Sequence, residues 1–215
     1  MRSAFDRRVL PDPVLRLIRA CQRRAPCHLA GGAALSGAYL GHRLTGDVDL
    51  FCHRPDEVRL LLQSLPDIAG ECAFGIDVVR DAGRFVRCVV RGLGHPLEMD
   101  IVEEMPDLEA PPALEGIVVE SLADLRAAKL ACILGRSEPR DLVDLLFLDR
   151  QGFAPERDLA LACRKDAGID PGILAWLLGQ FPVGPLPLML EPLTEEELDR
   201  FRVELRQRFR RMALP

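Results

Sequence analysis

Apolar residues in 13–24 (PVLRLIRACQRR) recur at helical spacing, with arginines on the opposite side, and predict a helix. Cys27–Ala30 is a short apolar run that meets Gly31-Gly32, the pattern of a strand entering a tight turn. AALSGAYLG then predicts a short helix of small residues. Residues 47–52 (DVDLFC) alternate polar and apolar with period two, a strand signature. PDEVRLLLQSL opens with Pro55 and two acids in its first turn, which suits a helix start. FGIDVVR and RFVRCVV flank a DAG turn, and HPLEMDIV alternates again, so three more strands are predicted. Beyond residue 120 the periodicity is helical. SLADLRAAKLACILG places Asp124 three residues after Ser121, and PRDLVDLLFLDR starts at Pro139. Residues 155–180 read as helical with a break at 168–171, then prolines 182, 185, 187 and 192 intervene. Thr194 and Glu197 form a capping box for a last helix. The order predicts an α/β (α+β) fold. A catalytic core over 1–112 holds a small mixed sheet flanked by helices, and a helical region over 113–215 packs on it.

Composition narrows the picture. The 215 residues are 48% apolar and 28% charged, enough to bury a core. A net charge of −5 disfavours a protein that works mainly by coating nucleic acid. No apolar run reaches the roughly 18 residues of a membrane helix, and the charged start MRSAFDRRVLPDP does not read as a secretory signal, so a cytoplasmic location is expected. Seven cysteines in no CxxC pattern read as small core residues rather than a disulfide or zinc scaffold. Of 28 basic residues only Lys129 and Lys165 are lysines. His28, His42, His53 and His95 form no close metal pair in sequence; His28 is expected beneath the Gly-Gly turn, His42 toward substrate, and Trp176 in the core.

The chemistry concentrates in 28–51, HLAGGAALSGAYLGHRLTGDVDLF. Asp47 and Asp49 are i and i+2 on a strand, so both carboxylates leave one face about 6–7 Å apart. Such a pair repels itself unless a cation lies between, and a hard ion with oxygen ligands, Mg²⁺ or Mn²⁺, suits it. Asp100, on a later apolar strand with Glu98 two residues before it, is the candidate third carboxylate. Gly31 and Gly32 can offer bare backbone amides to phosphates. Each piece has a plain alternative: a solvated strand face, a simple turn, an edge-strand acid. The chain has no Walker, dinucleotide or HExxH motif.

Gly-Gly, a short helix, D-x-D and a later strand carboxylate together resemble the polymerase-beta type of nucleotidyltransferase. The string GG-A-A-L…GHR-L-T-x-D-V-D-L-F is similar to the AbiEii/AbiGii family of abortive-infection nucleotidyltransferase toxins. A second stretch, SLADLRAAKLACILGRSEPRDLVDLLFL, resembles that family's lysine, arginine and R-D-x-x-D-L signature at Lys129, Arg136, Arg140, Asp141 and Asp144. Together the matches cover about 28–150. The resemblance implies transfer of a nucleotidyl group from an NTP, with Asp47, Asp49 and Asp100 holding Mg²⁺ or Mn²⁺ and Gly31 and Gly32 cradling phosphates. Lys129, with Arg43 and Arg136, would neutralise triphosphate charge, and Arg140, Asp141 and Asp144 would brace the site. A compact ammonium among arginines has its own sense as a phosphate partner; the plain alternatives are an exposed lysine and an Arg140–Asp144 ion pair. The family further implies an RNA acceptor such as a tRNA 3′ end and a cognate antitoxin. A small-molecule nucleotidyltransferase and a catalytically silent relative stay open. Ala33 stands where the family usually has Thr or Ser, which implies one lost hydroxyl contact.

Overall fold

The computed structural model describes residues 2–213. They divide into two compact units, one up to residue 121 and one from 122 onward.

The first unit opens with helix α1 (Asp12–Arg24), whose apolar stripe Leu15, Leu17, Ile18 and Cys21 is buried. Strand β1 (His28–Ala30) runs directly into helix α2 (Gly31–Ala34), which continues as a wide π-type turn over Leu35–Leu40. Strand β2 (Asp47–Cys52) follows, then helix α3 (Pro55–Cys72). The Glu57 carboxylate caps α3 by accepting from the backbone amides of His53 and Arg54. The helix runs past Pro66 rather than stopping near it. Strands β3 (Gly75–Asp81), β4 (Phe85–Arg91) and β5 (Leu97–Glu103) complete a five-stranded sheet in the order β1-β2-β5-β4-β3. Only β2 and β5 are parallel, so the sheet is mixed as expected.

Alternation decides the two faces of this sheet. Val48, Leu50, Cys52, Val86, Cys88, Val90, Met99 and Ile101 are all buried. Helix α3 packs across β2, β4 and β5, and α1 packs on α3. Each large side chain enclosed there, such as Leu61 or Ile68, contributes about 1.5–3 kcal/mol through burial. The polar residues of the same strands therefore share the other face.

A short hairpin, β6 (Ala113–Leu114) and β7 (Ile117–Val118), has no counterpart in the sequence pattern. It is tied to α1 by Gln22, whose amide exchanges two hydrogen bonds with the Val118 backbone (2.8 and 2.9 Å). Val119 then bridges to Leu29 of β1, so these residues belong to the sheet unit.

The second unit is helical. Helix α4 (Leu122–Gly135) packs against α5 (Pro139–Arg150), α6 (Leu159–Lys165) and α7 (Pro171–Leu178), and α7 packs on α8 (Glu195–Ala213). Thr194 and Glu197 exchange the two capping bonds predicted for α8. Trp176 is 65% exposed, against the expectation of a core residue, because α7 turns Leu174, Ala175 and Leu178 inward instead. No helix among the described residues is long and apolar enough to cross a membrane.

Candidate active site

The parallel pairing of β2 with β5 sets Asp47 opposite Glu98 and Asp49 opposite Asp100. Partners in such a ladder lie about 4.8 Å apart. Four carboxylates therefore form a block on the polar face, backed by the buried Val48, Leu50, Met99 and Ile101. The expected meeting of Asp47, Asp49 and Asp100 is present, and Asp100 is buried.

Arg87 stands opposite Asp100 on β4 and was not singled out in the sequence. Its guanidinium donates a bidentate pair to Asp100 (2.8 and 2.7 Å) and lies 3.4 Å from Glu98. The hydrogen bond and charge of Asp100 raise the Arg87 pKa further, so this cation is permanent. The strand alternation around Arg87 was legible; its partner was not, since that depends on register. Arg87 occupies the ground a metal would share with Asp100. Arg87→Gln is expected to tighten Mn²⁺ binding severalfold, worth about 1 kcal/mol or less after solvent screening of a half-exposed guanidinium. Calorimetric titration of Mn²⁺ into both proteins measures this, and weaker binding by the variant would contradict it.

Gly31 adopts φ +63°, and a Cβ there would fall 2.1 Å from Asp49 Oδ2. Only glycine allows the carboxylate so close to the turn. The Gly31 amide donates to Glu120 Oε2 at 3.3 Å, so a buried acid outside the predicted set also meets this turn. A Cβ on Gly32 would lie 2.8 Å from Arg43, whose guanidinium closes over the turn. Arg43 is buried and donates to the Leu44 carbonyl, while the Ser36 hydroxyl donates to the Arg43 carbonyl at 2.6 Å. His42 is fully buried, so it does not face substrate as expected. Ala33 is also fully buried; its methyl packs inside, which accounts for an apolar residue at that place.

In the helical unit the second motif gathers. Lys129 is buried, not exposed, and its Nζ lies 2.7 Å from Asp144 Oδ2 and 3.1 Å from Asp141 Oδ1. Arg136 adds a bidentate pair to Asp141 (2.7 and 2.9 Å). Burial opposes ionisation of Asp141, but Arg136 and Lys129 outweigh it and hold its pKa below the ordinary 3.8. Arg140 pairs with Glu138 at 2.5 Å. Lys165, the other lysine, is likewise held by an acid, Asp124, at 2.8 Å.

The first unit thus carries a carboxylate block on a sheet face with a glycine turn pressed against it, and the helical unit carries buried Lys129, Asp141 and Asp144 closed off by Arg136. The family model described as "Nucleotidyl transferase AbiEii toxin, Type IV TA system" matches residues 16–215. The chain belongs to the AbiEii nucleotidyltransferase toxin family. It is a nucleotidyltransferase by that membership.

Solved structures share the fold. A putative nucleotidyltransferase from H. pylori superposes with a TM-score of 0.60 at 20% identity, covering 93% of this chain and 92% of that one. JHP933 from Helicobacter pylori gives 0.61 at 23% identity, covering 93% and 90%. MenT4, a nucleotidyltransferase toxin from Mycobacterium tuberculosis H37Rv, gives 0.54 at 17% identity, covering 93% and 85%. No curated protein matches the chain at the sequence level. At these identities the neighbours speak for the AbiEii-type fold alone.

Proposed function

We propose that this AbiEii-family chain transfers a nucleotidyl group from an NTP to an RNA end, a tRNA 3′ terminus being the type of acceptor the family resemblance implies. The observation that carries the reading is the carboxylate block, Asp47, Asp49 and Asp100 on one face, with Gly31 fitted against Asp49. The donor set is all oxygen, drawn from carboxylates on two paired strands, so the residues fit a hard divalent ion. Mg²⁺ or Mn²⁺ held by Asp47, Asp49 and Asp100 would supply Lewis-acid polarisation and charge neutralisation of phosphoryl oxygens.

The chain's own residues position and neutralise. The Gly31-Gly32 turn offers backbone approach for phosphates, and Arg43 beside Gly32 supplies positive charge there. Arg87 orients Asp100 by its bidentate grip. The family resemblance gives Lys129 and Arg136 to the triphosphate, with Arg140, Asp141 and Asp144 as support; here Asp141 holds both cations and Asp144 also holds Lys129, so a phosphate contact would require one of these pairs to open. Three buried charges, Lys129, Asp141 and Asp144, are a poor source of stability compared with apolar packing, which favours a chemical use for this cluster.

The acceptor is the least constrained part. The end of α8 presents Arg206, Arg210 and Arg211 at the surface, whereas Arg208 is held by Asp149, Glu156 and Glu204. The three exposed arginines, not Arg208, are the group to test for phosphate contact. Membership in a type IV toxin-antitoxin family implies a cognate antitoxin. The protein incubated with each α-labelled NTP, total RNA and Mg²⁺ or Mn²⁺ should place label on RNA. Replacing Arg206, Arg210 and Arg211 with Gln should weaken RNA binding and flatten its salt dependence, each lost contact reducing the slope by about 0.7. Label found only on small molecules, with RNA binding unmoved by the substitutions, would favour a small-molecule acceptor instead.

A further inference from the structure

His28, His53 and Asp107 come from three separate places in the first unit. His28 is the first residue of β1 and stands opposite Phe51 of β2. His53 follows the last residue of β2, and Asp107 lies in the connection between β5 and β6. The two imidazoles aim Nε2 at the same carboxylate. His53 Nε2 is 2.9 Å from Asp107 Oδ2, and His28 Nε2 is 3.5 Å from Asp107 Oδ1. The rings lie 5.3 Å apart, and one ligand atom from each residue falls within 4.8 Å of the others. The His28 side chain is buried and Asp107 nearly so. A hydrogen-bonded pair needs one imidazole per carboxylate; here two converge on one, each from a different strand end.

Such convergence matches a metal ion in chemistry and in size. Two imidazole nitrogens and one carboxylate are the three-ligand set of zinc sites that keep a fourth position open. Zinc at about 2.0–2.1 Å from each donor would draw the donors to about 3.3 Å from one another, a small contraction from the 4.8 Å within which one ligand atom of each residue already lies. The same set is wrong for Mg²⁺, which takes oxygen ligands in octahedral geometry. The place is also distinct from the carboxylate block. His53 stands four residues beyond Asp49, about 13 Å further along the line of β2. The seven cysteines contribute nothing to it, so the sequence-level search for cysteine-based zinc spacing could not have found it.

We propose that His28, His53 and Asp107 bind a borderline divalent transition ion of the Zn²⁺ class. The ion would fasten the start of β1 and the end of β2 to the segment that follows Asp100's strand. It is a fastening of the sheet unit, separate from the ion proposed at Asp47, Asp49 and Asp100.

The test uses the full chain, stripped of metal and then titrated calorimetrically with Zn²⁺ in saturating Mg²⁺, which fills the carboxylate block. One equivalent should bind. Co²⁺ in place of Zn²⁺ should give the visible absorption of a four- or five-coordinate nitrogen-ligated ion. His53→Gln, at the most exposed of the three residues, and Asp107→Asn should each weaken Zn²⁺ binding by on the order of 100-fold or more, since losing even an outer partner of a ligand costs 10–100-fold. Asp47→Asn and Asp49→Asn should leave Zn²⁺ binding unchanged. Circular dichroism of His53→Gln establishes that the loss is not unfolding. The proposal is overturned if the wild-type chain takes up no Zn²⁺, or if Zn²⁺ binding survives His53→Gln and Asp107→Asn while the Asp47 or Asp49 change removes it. None of these readouts depends on nucleotidyl transfer, so this proposal and the transfer reading fail separately.

Discussion

Asp49→Asn is expected to abolish nucleotidyl transfer, by on the order of 10³-fold or more in kcat, and to leave the fold intact. The size follows from what the carboxylate is asked to do. Losing a single neutral donor to developing charge already costs about 10²–10³ in kcat, and an anionic metal ligand carries more of the stabilisation than that. The intact fold follows from the geometry. Asp49 stands among Asp47, Glu98 and Asp100 on a polar face, with the apolar side of β2 turned away from it. Removing one charge relieves repulsion within the block, so the unfolding midpoint should hold or rise slightly. Asn keeps the shape that Gly31 accommodates, where a Cβ would meet Asp49 Oδ2 at 2.1 Å. Asp77→Asn is the control. That acid lies on the exposed outer strand β3 and pairs with Arg91 of β4, and its loss should change neither transfer nor stability measurably. Steady-state kinetics at saturating Mg²⁺ together with thermal unfolding decide the matter. Wild-type turnover in Asp49→Asn would remove the metal reading of the block.

Residues whose role is local were legible, and residues whose role depends on pairing were not. The D-x-D strand declares its faces through its own alternation, and α1, α4, α5 and α8 declare themselves through spacing and capping residues. Asp100 could be picked locally, as an acid in an apolar strand, whereas the register of β5 beside β2 that sets it against Asp49 could not. Arg87 was out of reach, since nothing near residue 87 says that β4 will pair with β5 so as to bring its guanidinium onto Asp100. Glu120 and the β6–β7 hairpin were missed for the same reason. Two-residue strands carry no period, and what holds them is Gln22, nearly a hundred positions earlier in the chain (|i−j| of 96). Lys129 shows the limit differently. Its rarity among arginines marked it out, but sequence offered only a phosphate or solvent as its partner. Two carboxylates from the next helix hold it instead.

That arrangement changes what substitution of Lys129 will report. Lys129→Met is expected to cost about 3–5 kcal/mol of stability, because it leaves Asp141 and Asp144, both fully enclosed, short of a cation. Lost activity in the single variant would then say nothing about chemistry. The double variant Lys129→Met with Asp144→Leu separates the two roles. It removes one charge of each sign and fills the space with apolar atoms, while Asp141 keeps its bidentate partner Arg136. Buried ion pairs replaced in this way lose little or even gain, so most of the stability should return. The pH dependence gives an independent reading of the network. Asp141 has a folded pKa below its ordinary 3.8, so its pairing stabilises the fold above that value and is lost as pH falls through the lower one. Asp141→Asn should flatten this acid limb of the stability curve in the helical unit. If the cluster serves transfer, the refolded double variant should still lose at least about 10²-fold in kcat/KM, the scale of one charged contact made in the transition state. A double variant that is both stable and fully active would reduce Lys129, Asp141 and Asp144 to a brace between α4 and α5, and would leave the triphosphate to arginines alone.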